Sequence, residues 1–118
     1  MVVNKQIHEV IEKIEKKSLS NIELLALVTE TSYEVIFYAK YDGKMRQSND
    51  LAEDGVISLD FVDEIYSEVA NIVREDKKYD SLKMNIVKAS EDTVRVEYDE
   101  KKCRVYGLKK KWKKEIGV

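Results

Sequence analysis

The chain of 118 residues is poor in the residues on which the chemistry of many small proteins depends. It has one cysteine, one histidine, no proline and only four glycines. A single cysteine, Cys103, cannot form an internal disulfide and is typical of a reducing compartment, so we expect a cytoplasmic protein. No apolar run approaches the roughly 18 residues needed to cross a bilayer. The charged and periodic start, MVVNKQIHEVIEKIEKK, predicts neither a signal peptide nor a spanning helix.

The same scarcity argues against an active site. The only histidine, His8, lies between an apolar and a charged residue, where a surface or boundary position is the simplest interpretation. A zinc site needs several Cys or His ligands, and the four scattered glycines form no phosphate-binding loop. We therefore expect no catalytic residue, no cofactor and no metal. A small enzyme that uses a pair of the many carboxylates is the last of the alternatives.

The charge of the chain is nearly balanced but unevenly distributed. Its 21 basic and 23 acidic side chains give a net charge of −2. Residues 1–100 carry 22 acidic and 13 basic side chains, a net charge of −9, whereas residues 101–118 carry one acidic and eight basic side chains, a net charge of +7. An asymmetry of this size indicates a charged partner.

One segment is purely acidic. Between residues 47 and 73 the chain has seven carboxylates and no Lys or Arg, although exposed helices usually mix the two signs in i, i+4 pairs. Like charges gathered in this way destabilise the free protein slightly, and a cationic partner would reverse that cost. We therefore predict a binding surface that consists of Asp50, Glu53, Asp54, Asp60, Asp63, Glu64 and Glu68. Tyr66 is the predicted aromatic anchor, since interface hot spots favour Tyr; a solvated helix face and a boundary core tyrosine are the plainer alternatives.

Hydrophobic periodicity predicts an α+β domain spanning residues 1–118, in the order α-β-β-β-α-β-β-(α), with a largely antiparallel sheet of about five strands. An N-terminal helix would end near residues 18–21. The runs IELLALV and YEVIFYAK predict two strands, and Asp42-Gly43 predicts a type I′ hairpin turn to a third strand at about 44–48. The N-terminal helix would bury Val3, Ile7, Val10, Ile11 and Ile14.

The second half of the chain is predicted to begin with a loop, NDLAEDGVIS, around Gly55. Asp60 is the expected N-cap of a central helix that ends near EDKKYD. The segments SLKMNIVK and TVRVEYD predict two further strands, and the tail predicts a short strand or turn and then a C-terminal helix. The expected buried positions are Phe61, Ile65, Val69, Ile72 and Val73 on the helix, Leu82, Met84 and Ile86 on one strand, and Val94, Val96 and Tyr98 on the next.

The basic tail suggests two alternatives to an acidic binding surface. Five lysines around Trp112 could contact phosphates while the indole stacks on a base, which would make the tail a nucleic-acid-binding module. The acidic body would repel the same polyanion, so we favour a tail helix whose lysines are solvated and whose apolar residues Leu108, Trp112 and Ile116 anchor it. In the other alternative, a structural or regulatory homodimer, the acidic face of one copy would meet the basic tail of another.

Several local patterns resemble the YezG-type antitoxin or immunity proteins. The similarity covers roughly residues 20–118 and lies in YEVIFYAKYDGK, the acidic segment that follows, FVDEIYSEVANIV and the closing WKKEIGV, with its Trp-x(4)-Gly ending from Trp112 to Gly117. The chain between the central helix and the fourth strand is shorter than in that family, and the tail is richer in lysine. None of these motifs is a catalytic signature.

The resemblance implies a small cytoplasmic bacterial protein, not an enzyme, that neutralises a toxin delivered between cells, as in contact-dependent growth inhibition. Such toxins are commonly nucleases, which must present a cationic groove to bind phosphates. A carboxylate-rich inhibitor would fit such a groove, so the implied partner agrees with the partner that the charge distribution predicts. The expected partner is therefore a basic toxin domain. We expect no contact with a membrane, we do not favour nucleic acid as a partner, and we expect any homodimer to be weak.

Overall fold

The computed structural model describes residues 2–100 and 105–118 and shows an α+β domain in which five strands and four helices lie within these ranges. All five strands belong to one sheet in the order β3-β2-β1-β4-β5, and every neighbouring pair is antiparallel. The predicted fold class is confirmed. The elements are α1 (Val2–Glu15), β1 (Ser20–Val28), β2 (Tyr33–Tyr41), β3 (Lys44–Gln47), α2 (Ser48–Glu53), α3 (Leu59–Glu75), β4 (Lys83–Ser90), β5 (Val94–Glu100) and α4 (Val105–Ile116).

Strand β1 occupies the centre of the sheet, and its continuous apolar sequence follows from that position. Successive side chains of a strand point to opposite faces. Leu24 and Ala26 therefore enter one apolar cluster, whereas Leu25 and Leu27 enter another on the far side. A strand that is covered on both faces reads as an uninterrupted apolar run.

The helices divide unequally between the two faces. Helices α1, α2 and α3 lie on one face and bury the main core together with alternate residues of the strands. Helix α4 lies alone on the other face, where Trp112 is 2% exposed and packs with five buried residues of the sheet. Leu108 and Ile116 flank it, as predicted for the tail helix.

The turn between β2 and β3 has the predicted geometry. Asp42 and Gly43 have φ angles of +52° and +79°, the positive values that a type I′ turn requires at both central positions. Lys44 then pairs with Tyr41 across the hairpin. The first predicted helix is also confirmed: Ile7, Val10, Ile11 and Ile14 are buried, and the side chain of Val3 lies outside the described part of the chain.

The predicted loop before the central helix is partly wrong, because its first five residues, together with Ser48 from the end of the predicted third strand, form helix α2. Leu51 fixes this helix on the sheet and is fully buried. The helix ends in a Schellman pattern, in which the N–H groups of Gly55 and Val56 donate to the carbonyls of Ala52 and Leu51, and Gly55 takes the left-handed φ of +75°. Six residues are too few for helical periodicity to stand out in a sequence.

The predicted N-cap of the central helix is also wrong. Ser58, not Asp60, precedes α3 in the extended conformation, and its hydroxyl accepts a hydrogen bond of 3.0 Å from the N–H of Phe61. Asp60 instead lies in the first turn, where a carboxylate is favoured by the helix dipole. Serine and aspartate are about equally good caps, so the choice between two such residues depends on where the apolar face begins.

Five of the predicted buried positions differ in the structure, and two of them, Val94 and Val96, are half-buried and pack against the main core. Phe61 is half-buried, and Val62 and Ala70 occupy the buried face of α3 in addition to the predicted residues. Leu82 is 78% exposed because β4 starts one residue later. Tyr98 is 41% exposed, and its hydroxyl donates a 2.7 Å hydrogen bond to the carbonyl of Lys78 instead of entering the core.

Candidate functional site

The predicted binding residues lie in three different places. One group lies on or directly after α2, a second lies on the solvent side of α3, and Tyr66 lies on the inner side of α3. The first group is Asp50, Glu53 and Asp54, and the second is Asp60, Asp63, Glu64 and Glu68. All seven carboxylates lie on the helices of the face that α1, α2 and α3 cover or directly after them, and of these seven Glu64 and Glu68 line the depression between α1 and α3.

The groove between α1 and α3 is lined by carboxylates and amides. It is an open depression of about 480 Å³ whose acidic side chains come from both helices: Glu9 from α1, and Glu64, Glu68 and Glu75 from α3. Glu64, Glu68 and Glu75 lie at intervals of four and seven residues, so they share one face of the helix. Gln6, Ser67 and Asn71 complete the polar lining. We name this depression the acidic groove.

One cation from outside the acidic segment enters the groove. Lys13 of α1 donates to both carboxylate oxygens of Glu68 at 2.9 Å. The hydrogen bond from Glu68 raises the pKa of Lys13, although partial desolvation opposes it, and the charges of Glu68, Glu64 and Glu9 raise the pKa further. The lysine therefore neutralises one of the four groove carboxylates and leaves an acidic excess.

The α2 group is partly neutralised by its own neighbour in the sequence. Arg46 of β3 forms an ion pair with Asp54. The hydrogen bond to Asp54 raises the pKa of Arg46, and the charge of Asp50 adds to the effect. Arg46 lies one residue before the purely acidic segment, so the fold supplies a cation that a window starting at residue 47 leaves out.

The remaining acids of the predicted surface stay without an ion-pair partner among the described residues. They are exposed, and each contributes a full negative charge to the same side of the molecule. These acids are Asp50, Glu53, Asp60, Asp63 and Glu64. Within the described part of the chain, the predicted acidic surface therefore has two cations at its margins, Lys13 and Arg46.

Tyr66 is placed away from the acidic groove. It is two residues from both Glu64 and Glu68, which turns it about 200° around the helix from each of them. Its ring meets Phe37 edge to face at a centroid distance of 6.4 Å, and its hydroxyl forms a short hydrogen bond with Ser48 of α2. Burial raises the pKa of Tyr66, and the hydrogen bond with Ser48 opposes this shift. The half-buried tyrosine joins α3 to α2.

Two residues that line the groove, Glu9 and Glu75, are not among the binding residues predicted from the sequence. Glu75 repeats the spacing of Glu68 at seven residues, which is the signal that could have found it. The acidic window stopped before Arg74, yet the Arg74 side chain turns away from the groove and donates to the carbonyls of Thr29 and Ser32 at 2.9–3.1 Å. A count of charges along the sequence therefore does not show that Glu75 lines the groove while its neighbour Arg74 points away from it.

The basic tail helix lies on the opposite face of the sheet from the acidic groove. Trp112 stacks at a tilt on Tyr38 with ring centroids 5.8 Å apart. Lys109 forms an ion pair of 2.9 Å with Glu34. Lys110, Lys111 and Lys114 are exposed. Among the described residues, the five lysines of α4 therefore lie on the opposite face of the sheet from the acidic groove.

Searches of the described residues for other kinds of site gave negative results. No three His, Cys, Asp or Glu side chains among them are placed to hold a metal ion together. None of the described helices combines the length and the apolar character that a membrane span requires. His8 is half-buried on α1, and Cys103 lies outside the described residues.

Comparison with known proteins gave no relative. No protein-family model matches the chain. A search of the curated proteins likewise found no match.

Proposed function

We propose that the protein is an immunity protein or antitoxin that binds a cationic toxin domain, such as a nuclease, through the acidic groove and the carboxylates around it. The observation that carries the proposal is the acidic excess of the groove: four carboxylates from two helices line it, and of these Glu68 forms an ion pair with Lys13. Asp60 and Asp63 extend the same charge along α3. The protein acts by binding and carries out no reaction.

The groove suits a basic partner for a physical reason. Self-repulsion among Glu9, Glu64 and Glu75 costs the free protein stability, and a cationic surface converts that repulsion into attraction. The field also steers the encounter, since complementary charge brings association rates towards about 10⁸–10⁹ M⁻¹s⁻¹ at low salt. Fast capture matters for an inhibitor that must bind a toxin before the toxin meets its substrate.

For a nuclease, the mechanism would be competition for the phosphate-binding groove. A nuclease binds its substrate largely through cations that contact phosphates. Carboxylates held on two packed helices would occupy those cations and block the approach of the nucleic acid. Because α1 and α3 are fixed by the main core, the carboxylates need little ordering on binding, which keeps the entropic cost of association low.

The structure makes the two alternatives more specific. Trp112 is buried, so a nucleic-acid-binding tail would have to work through Lys110, Lys111 and Lys114 without base stacking by the indole. A homodimer in which the groove meets α4 would join opposite faces of the sheet. Such a contact is heterologous, so it would form a ring of several molecules or an open chain of molecules instead of closing as a pair.

The test is a capture experiment with two charge-matched variants. The tagged protein is used to recover partners from its native lysate at about 0.15 M salt, where long-range screening is physiological. Glu64→Lys with Glu75→Lys reverses two exposed groove positions, and Glu12→Lys with Glu15→Lys reverses two exposed positions of α1 outside the groove. We expect a basic partner to bind the wild type and the α1 variant but not the groove variant.

The captured protein must then be shown to be a toxin. Its expression alone should arrest growth, and co-expression of the wild-type chain, but not of the groove variant, should restore growth. Equal capture by the two variants would contradict a role for the groove. Recovery of nucleic acid that depends on Lys110 and Lys111 would favour the tail alternative.

A further inference from the structure

The two edge strands of the sheet differ in length and therefore in the number of backbone groups that can pair with another strand. Strand β3 forms one edge with only four residues, whereas β5 forms the other edge with seven. An edge strand carries backbone N–H and C=O groups that point away from the sheet and can pair with another strand. The β5 edge is therefore the better template for pairing with another molecule.

The register of β4 and β5 shows which backbone groups point outward. The N–H of Ser90 donates to the carbonyl of Thr93 at 2.8 Å, so this pair is hydrogen-bonded. Hydrogen-bonded pairs alternate along an antiparallel ladder, which directs the backbone groups of the odd-numbered β5 residues towards β4. The N–H and C=O groups of Val94, Val96 and Tyr98 point to the open side. Within the described residues, none of these six groups forms a hydrogen bond.

We propose that two copies of this chain join their β5 edges, antiparallel and centred on Val96, into one continuous ten-stranded sheet. In this arrangement each Val96 exchanges two hydrogen bonds with Val96 of the second copy. Val94 pairs with Tyr98 of the second copy in the same way, twice. All six outward-pointing groups on each copy are satisfied, and the β-branched and aromatic side chains become cross-strand neighbours, which is a favourable pairing.

The charges of β5 select this register over its neighbours. Centring the pair on Val96 places Arg95 opposite Glu97 of the second copy, and the symmetry repeats the contact. Centring it on Arg95 or on Glu97 would set that residue against its own copy, and like charges directly opposite destabilise a sheet. Within the chain Arg95 lies 3.9 Å from Glu115 and Glu97 lies 3.5 Å from Lys88, and the two side chains are still 63% and 46% exposed.

The proposed pair has a definite shape. A two-fold axis that relates two antiparallel edge strands stands perpendicular to the sheet, so equivalent faces stay on the same side. Both acidic grooves would face one way and both α4 helices the other. The dimer is isologous and closed, in contrast to the heterologous contact between groove and tail. The inference rests on β5 alone and does not depend on the proposed toxin.

The first measurement is sedimentation velocity of the full chain from about 1 µM to about 1 mM. We expect a reversible monomer–dimer equilibrium that stops at the dimer. Val96→Pro should abolish it, because the Val96 N–H makes no hydrogen bond within the described monomer and an edge strand tolerates proline where its N–H faces solvent. Circular dichroism would confirm that this variant keeps its fold.

A charge-swap experiment tests the register. Arg95→Glu and Glu97→Arg, each alone, set like charges against each other and should weaken dimerisation at least tenfold. Mixing the two variants restores opposite charges at both contacts, so a heterodimer should form. A mixture of Arg95→Glu with Glu12→Arg has the same net charges, but in it the Glu12→Arg chain, whose β5 is unchanged, should pair with itself and the Arg95→Glu chain should stay largely monomeric.

Any of three results would overturn the proposal. The wild type could stay monomeric across the whole range, the mixed charge variants could fail to associate, or self-association could be open-ended and unaffected by Arg95→Glu. The last result would point to the contact between groove and tail instead.

Discussion

One face of the sheet carries three helices and the acidic groove, and the other carries a single helix rich in lysine. Among the described residues, the main core on the acidic face has 21 buried members, whereas the cluster under α4 has six. The acidic face can therefore carry uncompensated charge because many apolar contacts hold it together. The packing of the basic face depends on Trp112, and this residue lies on the same helix as the lysines that give the face its charge.

Of the changes considered, removal of the Trp112 side chain should have the largest effect on stability, because the packing of the basic face depends on it. Trp112→Ala leaves the small cluster without its largest member, and such substitutions cost about 3–5 kcal/mol of unfolding free energy. Tyr106→Ala is the matched control on the same helix, since Tyr106 is 75% exposed, and it should change stability by less than about 0.5 kcal/mol. Urea titration measures both values. Similar values for the two variants would mean that α4 is not anchored by its indole.

Loss of the N-cap of α3 should have a smaller effect on stability, and it tests which residue caps the main helix of the acidic face. Ser58→Ala removes the hydroxyl that accepts from Phe61 and should cost about 1 kcal/mol. Asp60→Asn keeps the first turn and removes only a charge near the helix dipole, for about 0.3 kcal/mol. Thermal unfolding of the two variants side by side checks the order. A larger loss from Asp60→Asn would restore Asp60 as the cap.

Relief of repulsion in the acidic groove should be weakly stabilising. Glu64 lies four residues from both Asp60 and Glu68, and like charges at that spacing cost about 0.2–0.5 kcal/mol each. Glu64→Gln should therefore raise the unfolding free energy at low salt, and the gain should shrink as salt is added. Glu12→Gln is the control of opposite sign, because Glu12 lies four residues before Lys16 and loses a favourable pair. Denaturant titrations at two salt concentrations measure both.

A pH experiment probes an acid on the basic side of the sheet. Burial raises the pKa of Glu23, and the charge of Glu91 raises it further. The folded state thus holds the Glu23 proton more tightly than the unfolded state does, so this group's contribution to stability falls as the pH rises through its pKa. Glu23→Gln should be more stable than the wild type at pH 7, and the difference should vanish below the ordinary glutamate value of 4.5. In a Glu91→Gln background the gain at pH 7 should be smaller.

Much of the fold could be predicted because its signals are local. The alternation in β2, the Asp42-Gly43 turn and the stripe of α1 each depend on residues close together in sequence, and all are confirmed. Helix α2 and the Ser58 cap were missed because a six-residue helix shows no periodicity and because Ser58 and Asp60 are both good caps. Tyr98 was assigned to the core because alternation gives the face of a residue but not the depth of cover above it.

The candidate site could be predicted only in part. The seven acids are visible in the sequence, but their partners Lys13 and Arg46 are not, since one lies 55 residues from Glu68 and the other just outside the acidic segment. Glu9 joins the groove from a different helix. Tyr66 follows the acids in sequence but turns to the other side of α3. Its contacts with Phe37 and Ser48 place it apart from the groove carboxylates.

The sequence by itself determined every described element except α2, the largely antiparallel character of the sheet and the separation of charge along the chain, because each depends on residue type and spacing. Only the tertiary structure decided that the two charges lie on opposite faces of the sheet, since that depends on which side each helix packs. It also decided which carboxylates converge and which backbone groups of β5 remain open. These features arise from contacts between residues that are distant in sequence, and local patterns carry no record of them.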